Sequence, residues 1–450
     1  MFIIRKHSMD KLKHYLNIHP QDELHPSEIA NLLKDMNESD FGEALKHIPK
    51  ELIADVALEL PDRYFGDIVE SFTPQEIAES LSEMESDDQT DFIQELEEHD
   101  DSVAKEVFEK LDKEDQKDIL QLKQYEEDEA GAYMQVEVYS AKLDQKVEDV
   151  IKGFAKLKRE GALENINYLF VTDDEDYLRY GVGLDDLIVF DPQKTLREDI
   201  WENPEKYKPI IGHDHDDIKE IVQKFQEYDL NSMPIVNEYG KLLGRITSDD
   251  IYDIINEHAT DQIYHLAGVN DDAEEDDGLL KAGKARAIWL GINLSTAIIA
   301  SLVIGIFEET LQAYVALAVL MPIVASMGGN AGTQSLTVVV RQLALGEIAK
   351  NDAYRTIRKE VILSLVNGFI FALIIGIIAA VWFNKGMLGV VIAMAMIINL
   401  LSAGFFGSVI PLLLERFGID PAIGSTVILT TVTDIVGFFV FLGLATIILL

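Results

Sequence analysis

The chain has 450 residues, no cysteine, and 79 acidic against 38 basic side chains, a formal net charge of −41. Disulfides, thiolate metal sites and a cysteine nucleophile are thereby excluded, and so acidic a balance repels nucleic acid and anionic lipid while attracting cations. The charge is unevenly placed: residues 287–450 hold 7 of the basic and 8 of the acidic side chains, which leaves residues 1–286 with a net charge of −40.

From Pro20 to Gln124 short amphipathic patterns recur. Pro49, Pro61 and Pro74 fall 12 or 13 residues apart, with Ser86-Asp87 at the next step. Proline suits the first turn of a helix, and Ser, Thr or Asp its cap. A period of that length predicts a stack of short helices, so residues 1–130 read as an acidic α-helical superhelix.

From Met134 to Ile255 strand and helix patterns alternate, and a second repeat appears. Tyr168 to Phe190 and Met233 to Ile255 each hold an apolar strand, an acidic or glycine turn, a second strand and an Asp-Asp pair opening a helix. These α/β copies resemble a tandem pair of CBS domains, which places that pair at residues 131–255. In such modules a Thr and an Asp after the second strand, here Thr247 and Asp250, hold a nucleotide, so the resemblance implies an ATP site. On their own residues, Asp249 and Asp250 read as caps of the helix they open. The run His213-Asp214-His215-Asp216-Asp217 also reads as a helix cap, although imidazole with carboxylate would suit a transition metal. Ile251 to Leu266 predicts a further helix, and residues 256–286 read as a connecting helix and charged linker. Gly278 and Gly283-Lys284 have the spacing of a phosphate loop, but Ala285 stands where Ser or Thr is required, and no ATPase is implied.

Five stretches are long and apolar enough to cross about 30 Å of hydrocarbon: Ile288 to Ile306, Leu311 to Val340, Val361 to Phe383, Met387 to Leu414 and Ala422 to Leu450. No earlier stretch qualifies, and the first residues lack a signal-peptide core and cleavage site. The N-terminal part is expected in the cytoplasm. Loop charges agree, since Lys281, Lys284 and Arg286 precede the first span and Arg341, Lys350, Arg355, Arg358 and Lys359 separate the second from the third. Five spans then put the C-terminus outside the cell, in a multi-pass protein of the plasma (inner) membrane.

Within the second span lies Gly328-Gly329-Asn330-Ala331-Gly332-Thr333-Gln334. Polar backbone at membrane depth is tolerated where it is buried in protein or lines a wet path, and the string is read here as a transport pathway. Asp434 is the only carboxylate deep in the last span. An ionised Asp there costs at least ~2.5 kcal/mol on insertion scales, so it is expected to face water or an ion. A single chain of five spans encloses little space, and two chains are expected to supply one Asp434 each to a central axis.

The second span, with Pro322, Ser326, Gly328, Gly329, Asn330, Gly332 and Gln334, resembles the signature of the MgtE family of magnesium channels. The order of helical domain, CBS pair, connecting helix and five spans resembles that family over almost the whole chain. The resemblance implies a homodimeric channel for hydrated Mg2+, with Asp434 and Asn330 at the pore beside Gly328 and Gly329. It also implies that cytoplasmic Mg2+ neutralises facing acids and closes the channel. Positions matching the family's metal contacts are Asp55, Asp87, Asp91, Asp229, Asp250, Asp253, Asp261 and Asp420. His258 and Gln262 stand where the family has acids, and Thr426-Val427 where a small or amide residue and a proline are usual.

Mg2+ prefers octahedral oxygens and dehydrates reluctantly, which suits a carboxylate and an amide accepting hydrogen bonds from its water shell. A channel or exchanger for Co2+ or Mn2+ stays open as an alternative, as does a non-conducting Mg2+ sensor, although a sensor has no need of polar backbone in the membrane. A membrane protease would need an HExxH, GxGD or GxSx motif in a span. None is present, and the chain is not expected to be an enzyme.

Overall fold

In the computed structural model, which describes residues 2–19, 24–159, 166–269, 279–346, 348 and 352–450, the proline-marked period becomes helical turns as expected. Pro49 precedes a 3-10 turn and the helix Ile53–Leu58, Pro61 leads to Phe65–Ser71, and Pro74 opens Pro74–Leu81. The last of these is fixed by a reciprocal cap, the Thr73 hydroxyl accepting from the Glu76 N–H at 3.3 Å while the Glu76 carboxylate accepts from the Thr73 N–H at 3.0 Å. The period then stops. Ser86–Phe108 runs for 23 residues and breaks at Asp100, whose carboxylate caps Ser102 and Val103 at the restart. The apolar faces meet in one core that includes Ile29, Leu33, Phe41, Ile53, Phe65, Ile77 and Phe92, all almost fully buried.

The second repeat folds as two copies of one small sheet. Strands β1 (Ser140–Lys142), β2 (Tyr168–Thr172) and β3 (Leu178–Gly183) form the first, and β4 (Gly212–His213), β5 (Ser232–Val236) and β6 (Leu242–Thr247) the second. In both, the first pair is parallel and the second antiparallel, with a register shift at the same place, Val171/Thr172 and Ile235/Val236. Leu178 N–H to Gly240 O at 3.0 Å and Leu242 N–H to Asp176 O at 3.3 Å join the two hairpin turns. The helix after β6, Ser248–Ala267, is longer than its counterpart after β3, Leu184–Val189.

The chain divides into two units, Met1–Ile255 and Asn256–Leu450. The second holds five helices of membrane-spanning length and composition: Arg286–Gly305, Ala316–Ala344, Ala353–Trp382, Gly386–Arg416 and Ser425–Leu449. Two starts differ most from expectation: the third span's helix begins at Ala353 rather than Val361, and the second span's is also displaced. The second span starts at Ala316 rather than Leu311, because Glu308–Ala313 forms a separate short helix that ends where Tyr314 turns extended. The Tyr314 hydroxyl donates to Leu449 O at 2.9 Å, and the Lys385 ammonium lies 4.5 Å from the Tyr314 ring centre. The loop after the first span, the loop after the third and the C-terminus therefore share one side of the bundle.

The third and fourth spans pack most closely, through small residues. A side chain on Gly389 would meet Gly376 O at 2.3 Å, and one on Gly404 would meet the Ser364 hydroxyl at 2.0 Å. Hydrocarbon offers little hydrophobic drive between helices, so such backbone approach and its dispersion contacts carry the association.

Candidate functional site

The glycine string does not break its helix; Ala316–Ala344 is continuous through it. Gly328 and Gly332 are buried, one under Asn399 of the fourth span and the other under Leu429 of the last. Gly328, read with the string as part of a transport pathway, is itself buried in this chain, and its missing side chain makes room for a neighbouring helix. The opposite face is polar and bare, with Ser326, Asn330 and Gln334 exposed at four-residue spacing and Asn330 Nδ2 donating to Ser326 Oγ at 3.4 Å. A side chain on Gly329 would approach Thr430 of the last span at 4.0 Å, one turn before Asp434. Asp434 is half-buried, and no side chain or backbone group among the described residues donates to it. A bare amide stripe and an unpartnered carboxylate thus sit within about two turns of one another on neighbouring spans, in a membrane-embedded bundle. Such groups are costly against lipid and suited to a hydrated cation.

The first unit holds a second acidic group. The N-terminal turn of Ser86–Phe108 lies against the stretch 135–137 leading into the CBS-like region: Ser86 Oγ donates to Glu137 at 2.9 Å and accepts from Val136 N–H at 3.0 Å. Arg245 of β6, almost fully buried, donates to Gln135 Oε1 at 3.0 Å and Glu85 Oε1 at 3.1 Å. Around this one cation the acids are in excess. Burial pushes Glu85 up to about 7 against the pull of Arg245. Asp87 is 6% exposed, its Oδ1 has no partner, and burial with Asp250, Asp88 and Glu85 nearby raises it. Asp88, although its residue surface is exposed, is pushed up to about 7 chiefly because protein crowds its carboxyl and then by the facing Asp250, Asp91 and Asp55. Asp250 rises to about 6 through burial, partly offset by its bonds from Thr247.

Of the sequence-derived positions, Asp55, Asp87, Asp91 and Asp250 are brought together, and Asp253, raised chiefly by burial and then by Glu59, lies beside Asp249. Glu85, Asp88 and Glu59 have no counterpart in the sequence reading, and Asp249 appears there only as a helix cap. Asp229 is elsewhere, exposed in left-handed conformation at the end of Ile218–Tyr228. Thr247 and Asp250, read as nucleotide contacts or caps, form a cap: Asp250 Oδ2 accepts from Thr247 N–H at 3.0 Å and from its hydroxyl at 2.7 Å. Asp217 likewise caps its helix through Lys219 N–H at 2.8 Å. No three His, Asp or Glu side chains among the described residues converge to hold a metal directly. The acids are close enough to repel, which suits an ion that keeps water between itself and its ligands.

In the second unit the end of Ser248–Ala267 is bound to the start of the last span. His265 Nδ1 lies 3.0 Å from Asp420, Thr426 Oγ1 donates to Leu266 O at 2.8 Å, and Leu266 packs against Leu336, Ile410 and Leu429. Thr426, the departure noted above, caps a helix C-terminus. Asp261 lies on the same helix beside Gln262, one turn beyond His258. Of the linker, residues 270–278, with Gly278, lie outside the described residues, as does Lys350.

A pH dependence follows from the acidic junction. Glu85, Asp88 and Asp250 hold protons more tightly here than in a free chain, where carboxyls titrate near 4. Between about 4 and 7 the assembled junction therefore binds more protons than the separated one, so its stability falls as pH rises through that window and levels off above it. Without divalent cations, lowering pH from about 8 to about 6 is expected to slow protease cleavage between Gln124 and Gly131. Equal cleavage at both values would show that these carboxyls do not oppose assembly.

Comparison with known proteins adds the following. A family model described as divalent cation transporter, MgtE, matches residues 321–444, one for the MgtE intracellular N domain matches 24–128, and one for the CBS domain matches 206–257. The magnesium transporter MgtE of Enterococcus faecalis is 34% identical over 328 residues, 73% of this chain and 71% of that protein. The magnesium transporter MgtE of Thermus thermophilus is 29% identical over 431 residues, 95% of this chain and 94% of that protein. A crystal structure of the cytosolic domain of the Mg2+ channel MgtE in complex with ATP is 26% identical, covering 56% of this chain and all of that one, with a TM-score of 0.48.

Proposed function

This chain belongs to the MgtE family of divalent cation transporters, and from that premise we propose that it is a magnesium channel closed by magnesium on its cytoplasmic side. The observation that carries the reading is the unpartnered Asp434 carboxylate beside the bare Ser326, Asn330 and Gln334 stripe. Mg2+ enters with most of its water, the carboxylate and amides accept hydrogen bonds from that shell, and hydrated size becomes the filter. Inward movement of a divalent ion through 100 mV is favoured by roughly 4.6 kcal/mol, so no nucleotide hydrolysis is needed. Purified protein in liposomes is expected to pass Mg2+ down its gradient. Vesicles as tight as protein-free ones would overturn the reading, and faster Co2+ or Mn2+ flux would redirect it to another divalent ion.

In one chain the polar stripe faces away from the bundle, where lipid would leave its groups unsatisfied. A second copy facing it encloses a wet axis, so the conducting form is proposed to be a homodimer. The helical domain (1–130), the CBS pair (131–255) and the connection (256–286) lie in the cytoplasm by the positive-inside rule, and the C-terminus lies outside. A cytoplasmic Mg2+ ion would be held by Asp87, Asp88, Asp55, Asp91 and Asp250, supplying the positive charge that Arg245 alone does not. The orphaned, buried Asp87 Oδ1 and the raised carboxyls fit such an ion. An ATP site at Thr247 and Asp250 is a further proposal, and it requires Asp250 to leave its cap.

His258 and Gln262 bear on the strength of regulation. Hard cations prefer charged oxygen donors. The pair His258→Glu with Gln262→Asp is expected to lower the closing concentration of Mg2+ by about threefold, equivalent to ~0.65 kcal/mol in total, the size of a weak ion pair. Open probability in excised patches over a Mg2+ titration measures this, and an unchanged or higher midpoint would remove these positions from the regulatory site.

A further inference from the structure

Asn399 sits in the middle of the fourth span, fully buried, in an otherwise apolar and small-residue stretch. Its Nδ2 donates to Val324 O of the second span at 2.8 Å, and its Oδ1 has no partner. Two glycines from two other helices close over it. A side chain on Gly328 would come within 2.3 Å of Nδ2, and one on Gly437 of the last span within 2.9 Å of the same atom. A leucine would fill the same space without stranding a buried carbonyl, so packing alone does not account for an amide here.

We propose that Asn399 is a positioning residue for the pore, a wedge between Gly328 and Gly437 whose hydrogen bond to Val324 sets the rotation and axial register of the second and last spans. The proposal rests on the channel reading above. Helices in hydrocarbon lack a strong hydrophobic force holding their register, and an interhelical hydrogen bond supplies a fixed point. Gly328 is two residues before Asn330, about 200° round the helix, so seating Gly328 on Asn399 turns Asn330 away from the bundle. Gly437 is three residues after Asp434, about 60° from it around the axis, so the same amide sets the direction of the pore carboxylate. One buried side chain thereby orients both groups assigned to the ion without touching it.

The test uses the full-length protein in liposomes, with Mg2+ and Ca2+ entry followed by dye and assembly followed by gel filtration and thermal melting. Asn399→Leu keeps the branched shape, with methyl groups in place of the amide, and removes the bond. It is expected to assemble normally while Mg2+ flux falls about tenfold and the Mg2+ to Ca2+ ratio drops, because a filter that is loosely held discriminates poorly. Gly328→Ala is expected to lose flux for want of space, and Gly328→Ala with Asn399→Ala to recover part of it. Wild-type flux and ion ratio in Asn399→Leu overturn the proposal. Should that variant fail to assemble, the double variant decides: recovery over Gly328→Ala sustains the wedge and no recovery overturns it. A wild-type protein that passes no Mg2+ overturns the channel reading, and this proposal with it.

Discussion

Asp434→Ala is expected to abolish Mg2+ flux while leaving the protein at least as stable as the wild type. A carboxylate and a divalent ion about 5 Å apart attract by roughly 6–7 kcal/mol at an effective dielectric near 20, before the cost of disturbing the ion's water is subtracted. If less than half of that survives, the loss is still about a hundredfold. The stability half of the prediction distinguishes a pore carboxylate from a structural one. Asp434 receives no hydrogen bond from any described residue, so its removal breaks none. It also relieves at least ~2.5 kcal/mol of insertion cost. Asp434→Asn, which keeps an oxygen and the volume, is expected to fall between the two. Liposome flux at wild-type rate, or a melting temperature lowered by several degrees, would remove Asp434 from the pore.

Millimolar Mg2+ is expected to protect the stretch from Gln124 to Gly131 against protease, and Asp88→Asn with Asp250→Asn to confer that protection without the ion. A ligand shifts a conformational equilibrium only by its differential affinity for the two states. The differential here is the acid excess across the junction, where Glu85, Asp87, Asp88 and Asp250 face one another with Arg245 as the buried cation. Amides keep the shape and remove the repulsion. The double variant, which also lacks two of the five carboxylates assigned to the ion, should therefore stay closed in patch recordings with little dependence on Mg2+. Protection that does not change with Mg2+ in the wild type would sink the ion-bridged closure. A double variant that still needs the wild-type concentration would place the sensing acids elsewhere.

Much of the architecture was readable because it depends on local spacing. Five apolar runs of span length, proline-marked helical turns and two copies of a strand-turn-strand-helix pattern each announce themselves within 30 residues, and each is present. The acids matched by family resemblance were half readable. Asp55, Asp87, Asp91 and Asp250 meet, but Glu85 and Asp88, which complete the junction, are ordinary acids in a chain that has 79 of them. Asn399 carried one faint signal, an amide alone in an apolar span; of its glycine partners, Gly328, 71 residues before, stood out only as part of the polar string, and Gly437, 38 after, carried no signal.

The sequence alone determined the kind of protein: charge and hydropathy separate a cytoplasmic acidic part from a membrane part, because the solvent each face must meet is set by its own side chains. The glycine string could be seen to matter, but which of its faces looked inward could not. That was decided by tertiary packing, since Gly328 is free of a side chain in order to admit Asn399, while Asn330 and Gln334 turn outward. The second span begins at Ala316 rather than Leu311 for the same reason. The acidic Glu308–Ala313 helix and the Tyr314 hydroxyl, bonded to Leu449 at the far end of the chain, set the boundary through a contact across 135 residues that no local pattern encodes.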